Sequence, residues 1–268
     1  MPRPSTRSTL NRHSVMAFGK VPWILAAFWL HLLPYEPAFG TLVSITDPTF
    51  IQDCVDQHNK FRGEVVPPAK EMFAMTWDEA LAKSAKAWSK MCLFKHNPNL
   101  QKKGTVHPTF FPIGENIYIS TGNFNAKNAI KRWYAEVADY DYSTNSCKPK
   151  KVCGHYTQVV WANSYKVGCA VSDCPKGIKS SGFKGPGLVF VCNYAPAGNY
   201  IGALPYSSGT SCETCADNCR DKLCRDVKRD AIRNLLFTFS QNTLTGIQTL
   251  DQPRFSPVTS CCYLPLLL

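Results

Sequence analysis

The residues best equipped for chemistry in this chain are its cysteines, thirteen among 268 residues. Four fall in the run Cys212-x-x-Cys215-x-x-x-Cys219-x-x-x-x-Cys224. Thiols so spaced can close two disulfides or hold a zinc ion as a knuckle. Six more are Cys92, Cys147, Cys153, Cys169, Cys174 and Cys192, and spacing alone leaves their pairing open. Cys54, Cys261 and Cys262 make the total odd, so at least one thiol is expected to be free or intermolecular. Histidine with glutamate can do general acid–base work, and a nearby serine could act as nucleophile. Neither Gly-x-Ser-x-Gly nor His-Glu-x-x-His occurs, and Ser84 and Ser120 sit in ordinary contexts.

How the thiols read depends on compartment. Arg3, Arg7, Arg12 and Lys20 precede an apolar run over 21–33, and Ala38-Phe39-Gly40 supplies small residues for cleavage. This pattern is expected to be a secretory signal ending near Gly40. The run is shorter than the roughly 20 residues of a spanning helix and stops at Pro34 and Glu36, so no transmembrane segment is expected. Export into an oxidising compartment turns cysteines into disulfides. Without the first 40 residues the chain would keep 228 residues and a net charge of +8 out of +11. That excess suggests affinity for anionic glycans or lipid headgroups. The charges are scattered, so nucleic acid is not an expected partner. The apolar end after Cys262 is shorter than a glycolipid-anchor signal asks for, so surface tethering is an open expectation that this tail does not support.

Apolar residues at 44% and charged residues at 18% support a packed core. Asp47-Pro48 predicts a helix start, with Ile51, Cys54, Val55, His58 and Phe61 at helical spacing up to Gly63. Thr76-Trp77-Asp78-Glu79 reads as a capping box for a second helix carrying Ala80, Leu81, Ala85, Trp88 and Cys92 on one side. A third helix is expected over 125–138, placing Glu136 near the inward face of Trp133. Residues 167–174 alternate like a strand, and 188–192 read as a buried strand joined to it by a turn-rich hairpin over 175–187. Helices followed by strands predict an α+β sandwich. Trp77, Trp88, Trp133 and Trp161 are expected core anchors. A leader over 1–40, a main domain over 41–205, a cysteine-rich hinge over 206–225 and a tail over 226–268 complete the expected division. Ile232, Leu235, Leu236 and Phe239 hint at a short amphipathic helix in that tail.

Four segments carry a resemblance: His58-Asn59-Lys60-Phe61-Arg62; Gly114-Glu115-Asn116-Ile117; Gly154-His155-Tyr156-Thr157-Gln158-Val159-Val160-Trp161; and the run from Phe190 to Tyr200, Cys192-Asn193-Tyr194-Ala195-Pro196 included. In order and content they resemble the CAP superfamily of cysteine-rich secretory, antigen 5 and pathogenesis-related 1 proteins. Tyr165-Lys166-Val167-Gly168-Cys169 is most similar to the animal glioma pathogenesis-related-like subgroup. The resemblance spans about residues 48–200, with the hinge to 224.

It implies a three-layer α-β-α sandwich around a small antiparallel sheet. It also implies a cleft tetrad of His96, Glu115, Glu136 and His155. Two imidazoles and two carboxylates suit zinc, with affinity falling as imidazoles protonate below about pH 6.5. The alternative is a cleft without metal in which each histidine donates to a glutamate. Asn116, Tyr118, Tyr156 and Gln158 are expected to line or wall the cleft. Asn59 and Arg62 are expected to tie a helix end to the sheet, and Asn193 and Asn199 to satisfy turns. The implied disulfides are Cys92–Cys174, Cys169–Cys192, Cys147–Cys153, Cys212–Cys219 and Cys215–Cys224. Only Cys261 and Cys262 follow Cys224, so the channel-regulating module of cysteine-rich secretory proteins is not expected.

The function implied is that of a secreted, non-enzymatic protein binding a protein, glycan or lipid at a cell surface, in a sperm, reproductive or immune setting. A second reading is sterol or fatty-acid carriage beside Val106, Phe110, Phe111, Ile113, Ile117 and Ile119. A metal-dependent hydrolase ranks below both.

Overall fold

A computed structural model of the chain describes residues 43–231. The expected leader, the 232–239 amphipathic segment, Cys261 and Cys262 lie outside the described residues.

The centre is a sheet. Its members are β1 (Thr76–Trp77), β2 (Gly114–Ser120), and, after a small hairpin of β3 (Tyr140–Asp141) and β4 (Ser146–Cys147), the long strands β5 (Lys166–Cys174) and β6 (Gly187–Ala195). Strand order is β1-β5-β6-β2, antiparallel except for the short parallel pairing of β1 with β5. Helix α1 (Pro48–Gly63), α2 (Glu79–Ser89), α3 (Ala126–Tyr134) and α4 (Gly154–Val159) supply the outer layers. On one face Ala85 of α2 packs with Ile117, Ala170, Val189 and Val191. On the other, Phe50, Cys54, Ile130, Trp133 and Val159 of α1, α3 and α4 pack with Val167, Cys169, Val171, Phe190 and Tyr194. The fold is therefore the expected α+β three-layer sandwich.

The alternation along β5 marks size rather than exposure, because both faces are covered. Valines and a cysteine meet the larger helical layer, while Gly168, Ala170 and Ser172 turn to α2. A Cβ on Gly168 would stand 2.2 Å from the Ala82 nitrogen and 2.5 Å from the Asp78 oxygen. Only glycine lets this helix lie so close on its strand.

The helix starts follow local chemistry, with one correction. At α1, Asp47 Oδ1 accepts from the Phe50 amide at 2.8 Å, with Pro48 in the first turn. At α2 the cap is Asp78, which accepts from the Leu81 amide at 2.9 Å. Thr76 is not the cap, because its amide bonds the Tyr165 carbonyl at 2.8 Å and commits its backbone to β1. The second helix also stops at Ser89. Cys92 lies beyond it with φ 50°, held by its disulfide to Cys174. The third helix is α-helical only to Tyr134 and then tightens into a 3-10 turn, Ala135–Asp139, which carries Glu136.

All ten hinge and sandwich cysteines form disulfides: Cys92–Cys174, Cys147–Cys153, Cys169–Cys192, Cys212–Cys219 and Cys215–Cys224. Among the described residues Cys54 is the free thiol, and it is buried. The hinge is a two-stranded unit, β7 (Cys219–Arg220) with β8 (Leu223–Cys224), fastened to the segment before β1 by Cys224 N to Met72 O and Ala74 N to Cys224 O. Trp133 and Trp161 are buried as expected, but Trp77 and Trp88 are only half-buried. Trp88 satisfies its indole N–H at the Lys95 carbonyl, 2.8 Å away, which draws it toward the surface.

Candidate functional site

The chain crossings leave a groove of about 330 Å³ where the loop at 94–101, the start of β2, the start of α4 and the segment 197–200 meet. His96, Glu115 and His155 all line it, together with Asn116 and Gln158. Each comes from a different element. His96 follows the disulfide-pinned Cys92, Glu115 is the second residue of β2, and His155 is the second residue of α4. Glu136 stands behind His155 on the 3-10 turn and is not part of the groove wall.

The histidines and glutamates meet as two pairs. His96 Nδ1 lies 2.9 Å from Glu115 Oε1, and the same oxygen accepts from the Asn97 amide at 3.0 Å. His155 Nδ1 lies 2.6 Å from Glu136 Oε1. The second oxygen of Glu136 accepts from the amides of His155 and Tyr156 at 3.0 and 3.1 Å. A carboxylate only accepts, so each Nδ1 carries a proton, and in the neutral form of the ring Nε2 is then the nitrogen with the lone pair. Among the described residues, nothing bonds either Nε2. The side chains of His96 and His155 are 43% and 27% exposed, whereas that of Glu115 is 1% exposed. Glu115 Oε2 is buried without a hydrogen bond.

Carboxylate-to-Nδ1 support with a free Nε2 is the outer-shell arrangement of a metal-binding histidine. Each imidazole could therefore offer its Nε2 to a divalent cation, with its glutamate orienting the ring. The four groups do not form a closed cage. Among the described residues, three or more such donor atoms come within 4.8 Å of one another only at Cys212, Cys215 and Cys224, whose sulfurs are in disulfides. Those disulfides also displace the zinc-knuckle reading of the hinge.

Several neighbours hold the groove in shape. The Trp133 ring lies parallel to the His155 ring, 7° between planes at 6.2 Å, and is itself stacked on Phe190. Asn199, with φ 56°, ties the far wall to α4 through Gly154 O and Thr157 Oγ1, each at 2.8 Å. Gln158 accepts from the Gly198 amide at 3.1 Å and donates to Ser164 Oγ at 3.2 Å. A Cβ at Gly114 would stand 2.2 Å from Gln158 Oε1, so a larger residue there would displace the Gln158 side chain from its hydrogen bonds. Asn116 donates to the His155 carbonyl at 3.1 Å and to Tyr194 Oη at 3.2 Å. Beneath it, Tyr194 Oη lies 2.9 Å from His58 Nε2, and His58 Nδ1 lies 2.7 Å from the Cys54 carbonyl. Burial lowers the pKa of His58 to about 4, so this ring is neutral, donates from Nδ1 and accepts at Nε2.

Two expected wall residues lie elsewhere. Tyr118, two residues past Asn116 on β2, packs against the main core, and Tyr156 is buried among Tyr134 and Tyr140. Asn193 serves no turn. It sits within β6 and reaches the Leu81 carbonyl of α2 at 3.4 Å. The support from Trp133 was hidden because an inward aromatic on a helix reads simply as core. Its position three residues before Glu136 was the available signal.

The cysteine-rich secretory protein family model, CAP, matches residues 55–194. The chain is 47% identical over 196 residues to glioma pathogenesis-related protein 1 of Mus musculus, spanning 72% of this chain and 71% of that relative. It is 50% identical over 190 residues to GLIPR1-like protein 1 of Bos taurus, spanning 70% and 76%. Among solved structures, NaASP2 with Zn2+ aligns with TM-score 0.51 and 29% identity, covering 69% of this chain and 97% of the other. This chain belongs to the CAP, or cysteine-rich secretory protein, family.

Proposed function

We propose that this protein is an extracellular, non-enzymatic binding protein whose groove takes a divalent cation, zinc first, through His96 and His155. One observation carries the reading: both imidazoles in one groove turn Nδ1 to a glutamate and leave Nε2 without a protein partner. Glu136 sets the ring of His155 and Trp133 backs it, while Glu115 sets His96. A bound cation would supply a positive centre with positions left open to a partner's carboxylate or phosphate. NaASP2, a structural neighbour, was solved with Zn2+, which supports the choice of metal. Among the described residues no serine, threonine or cysteine lines the groove, which favours binding over nucleophilic catalysis. Secretion accords with a relative named cysteine-rich secretory protein 3, from Homo sapiens, 38% identical over 194 residues. Carriage of a sterol or fatty acid gains less support. Val106 and Phe110 pack against Leu81 and Leu100, Ile119 joins the packing under α2, and only Ile113 and Ile117 of the six candidates reach the groove.

Zinc titration calorimetry tests the reading. The protein is expected to bind with saturable heat, and His96→Ala/His155→Ala to give none. Glu136→Gln, which keeps the shape but weakens the hold on His155, is expected to lower zinc affinity about 10–100-fold. Equal heats in the parent and the double variant would end the proposal.

A further inference from the structure

A second hollow, of about 650 Å³, borders Lys90, Met91 and Cys92, just before the segment that carries His96. Lys90, Lys176, Lys179 and Lys184 line it, with Met91 and Phe183. The platform is firmly built. Cys92 is bonded to Cys174, the Phe94 amide donates to the Lys179 carbonyl at 2.9 Å, and the Lys179 amide donates to the Cys92 carbonyl at 2.8 Å. All four lysines are exposed, and none makes an ion pair within the described residues. Among the described residues the one carboxylate lining the hollow is the half-buried Asp173. Four exposed lysines around one hollow give it a positive potential that attracts an anionic surface. Met91 and Phe183 stand among them 55% and 40% exposed.

We propose that this face docks the protein onto a membrane rich in anionic lipid. Lysines meet the headgroup phosphates and carboxylates while Met91 and Phe183 enter the headgroup–acyl boundary. A sulfated glycan would use the lysines but offers no apolar layer for the other two, which is why the bilayer is the favoured occupant. Phe94 and Lys95 line the neighbouring groove, so docking here brings the groove close to the membrane surface. The inference stands independently of the metal reading.

Co-sedimentation of the secreted full chain with phosphatidylcholine vesicles, with and without phosphatidylserine, is the test. Each lysine near an anionic surface contributes roughly fivefold in partitioning. Binding is expected to the phosphatidylserine vesicles alone and to weaken with added salt. Lys176→Glu/Lys179→Glu is expected to reduce it by about 100-fold or more. Phe183→Ser is expected to weaken vesicle binding while leaving retention on heparin unchanged. His96→Ala/His155→Ala is expected to bind vesicles like the parent. Circular dichroism of each variant confirms that these exposed changes leave the fold intact. Vesicle binding that ignores the lysine reversals, or lysine-dependent heparin retention without any vesicle binding, would overturn the proposal.

Discussion

Replacing Arg62 by methionine is expected to remove about 4 kcal/mol of stability, a large share of the roughly 5–15 kcal/mol that holds a domain folded. Arg62 is buried in α1 and makes five hydrogen bonds, all to main-chain carbonyls. Nε and Nη2 hold Phe73 O at 2.9 and 2.6 Å. Nη1 holds Val159 O and Trp161 O at 3.0 and 2.7 Å, and Nη2 also holds Ala162 O at 2.9 Å. One side chain thus joins the first helix, the segment before β1 and the turn that ends α4. Burial lowers the guanidinium pKa to about 9, so it stays charged at neutral pH. Methionine keeps the stem's packing but orphans carbonyls. Trp161 O and Ala162 O retain the amides of Ser164 and Phe73, while Phe73 O and Val159 O have no other partner among the described residues. Each buried orphan costs about 1–3 kcal/mol, and the void left by the guanidinium adds to this. Lysine, a single donor centre, is expected to fall between the two. Urea unfolding under non-reducing conditions measures it. A loss below about 1 kcal/mol for the methionine variant would contradict the assignment.

Acidification should weaken the fold through His58. Its pKa is 6.5 when exposed and about 4 in the folded protein, chiefly because burial disfavours the charged ring. The Cys54 carbonyl pulls the value up, and the Arg62 cation pushes it down. Above pH 6.5 both states are neutral and the group adds no slope. Between about pH 6.5 and 4 the unfolded chain takes up a proton that the folded chain refuses. Stability therefore falls as pH falls, by about 3 kcal/mol across that window. Asp78, whose pKa is lowered with help from His107 and the Leu81 amide against the cost of burial, loses its contribution only at lower pH. Comparing urea midpoints of the parent and His58→Gln from neutral to acid pH isolates the histidine. The variant is expected to be weaker at neutral pH and flatter in acid. Parallel curves would show that His58 does not titrate as described.

Legibility in the sequence varied by the range of the forces involved. The α1 start was readable because Asp47 and Pro48 act within one turn. The α2 cap was misplaced by two residues because the partner that claims Thr76, the Tyr165 carbonyl, lies far along the chain. The small-residue stripe Gly168, Ala170, Ser172 read only as one half of a strand's alternation. Only the close approach of α2 shows why small residues are needed there. The groove residues were recognisable through family resemblance, since spacing alone could not join elements so distant. Their division into two His–Glu pairs, rather than one ring of four ligands, depends on the 3-10 turn that sets Glu136 behind His155. The roles of Trp133 and Asn199 likewise exist only once α3, α4 and the 197–200 segment are brought together.

The central claim is the state of two imidazole rings, and long-range nitrogen–proton NMR of the histidine side chains reads it directly. Above neutral pH and without metal, His96 and His155 are expected as Nδ1–H tautomers. His107 supplies an internal contrast. Its Nδ1 accepts from the amides of Thr109 and Phe110, each at 3.0 Å, so its proton is on Nε2, toward Asp78. Adding zinc should move the Nε2 resonances of His96 and His155 while those of His58 and His107 stay in place. Nε2–H tautomers at His96 and His155, or zinc shifts that leave both rings untouched, would contradict the account.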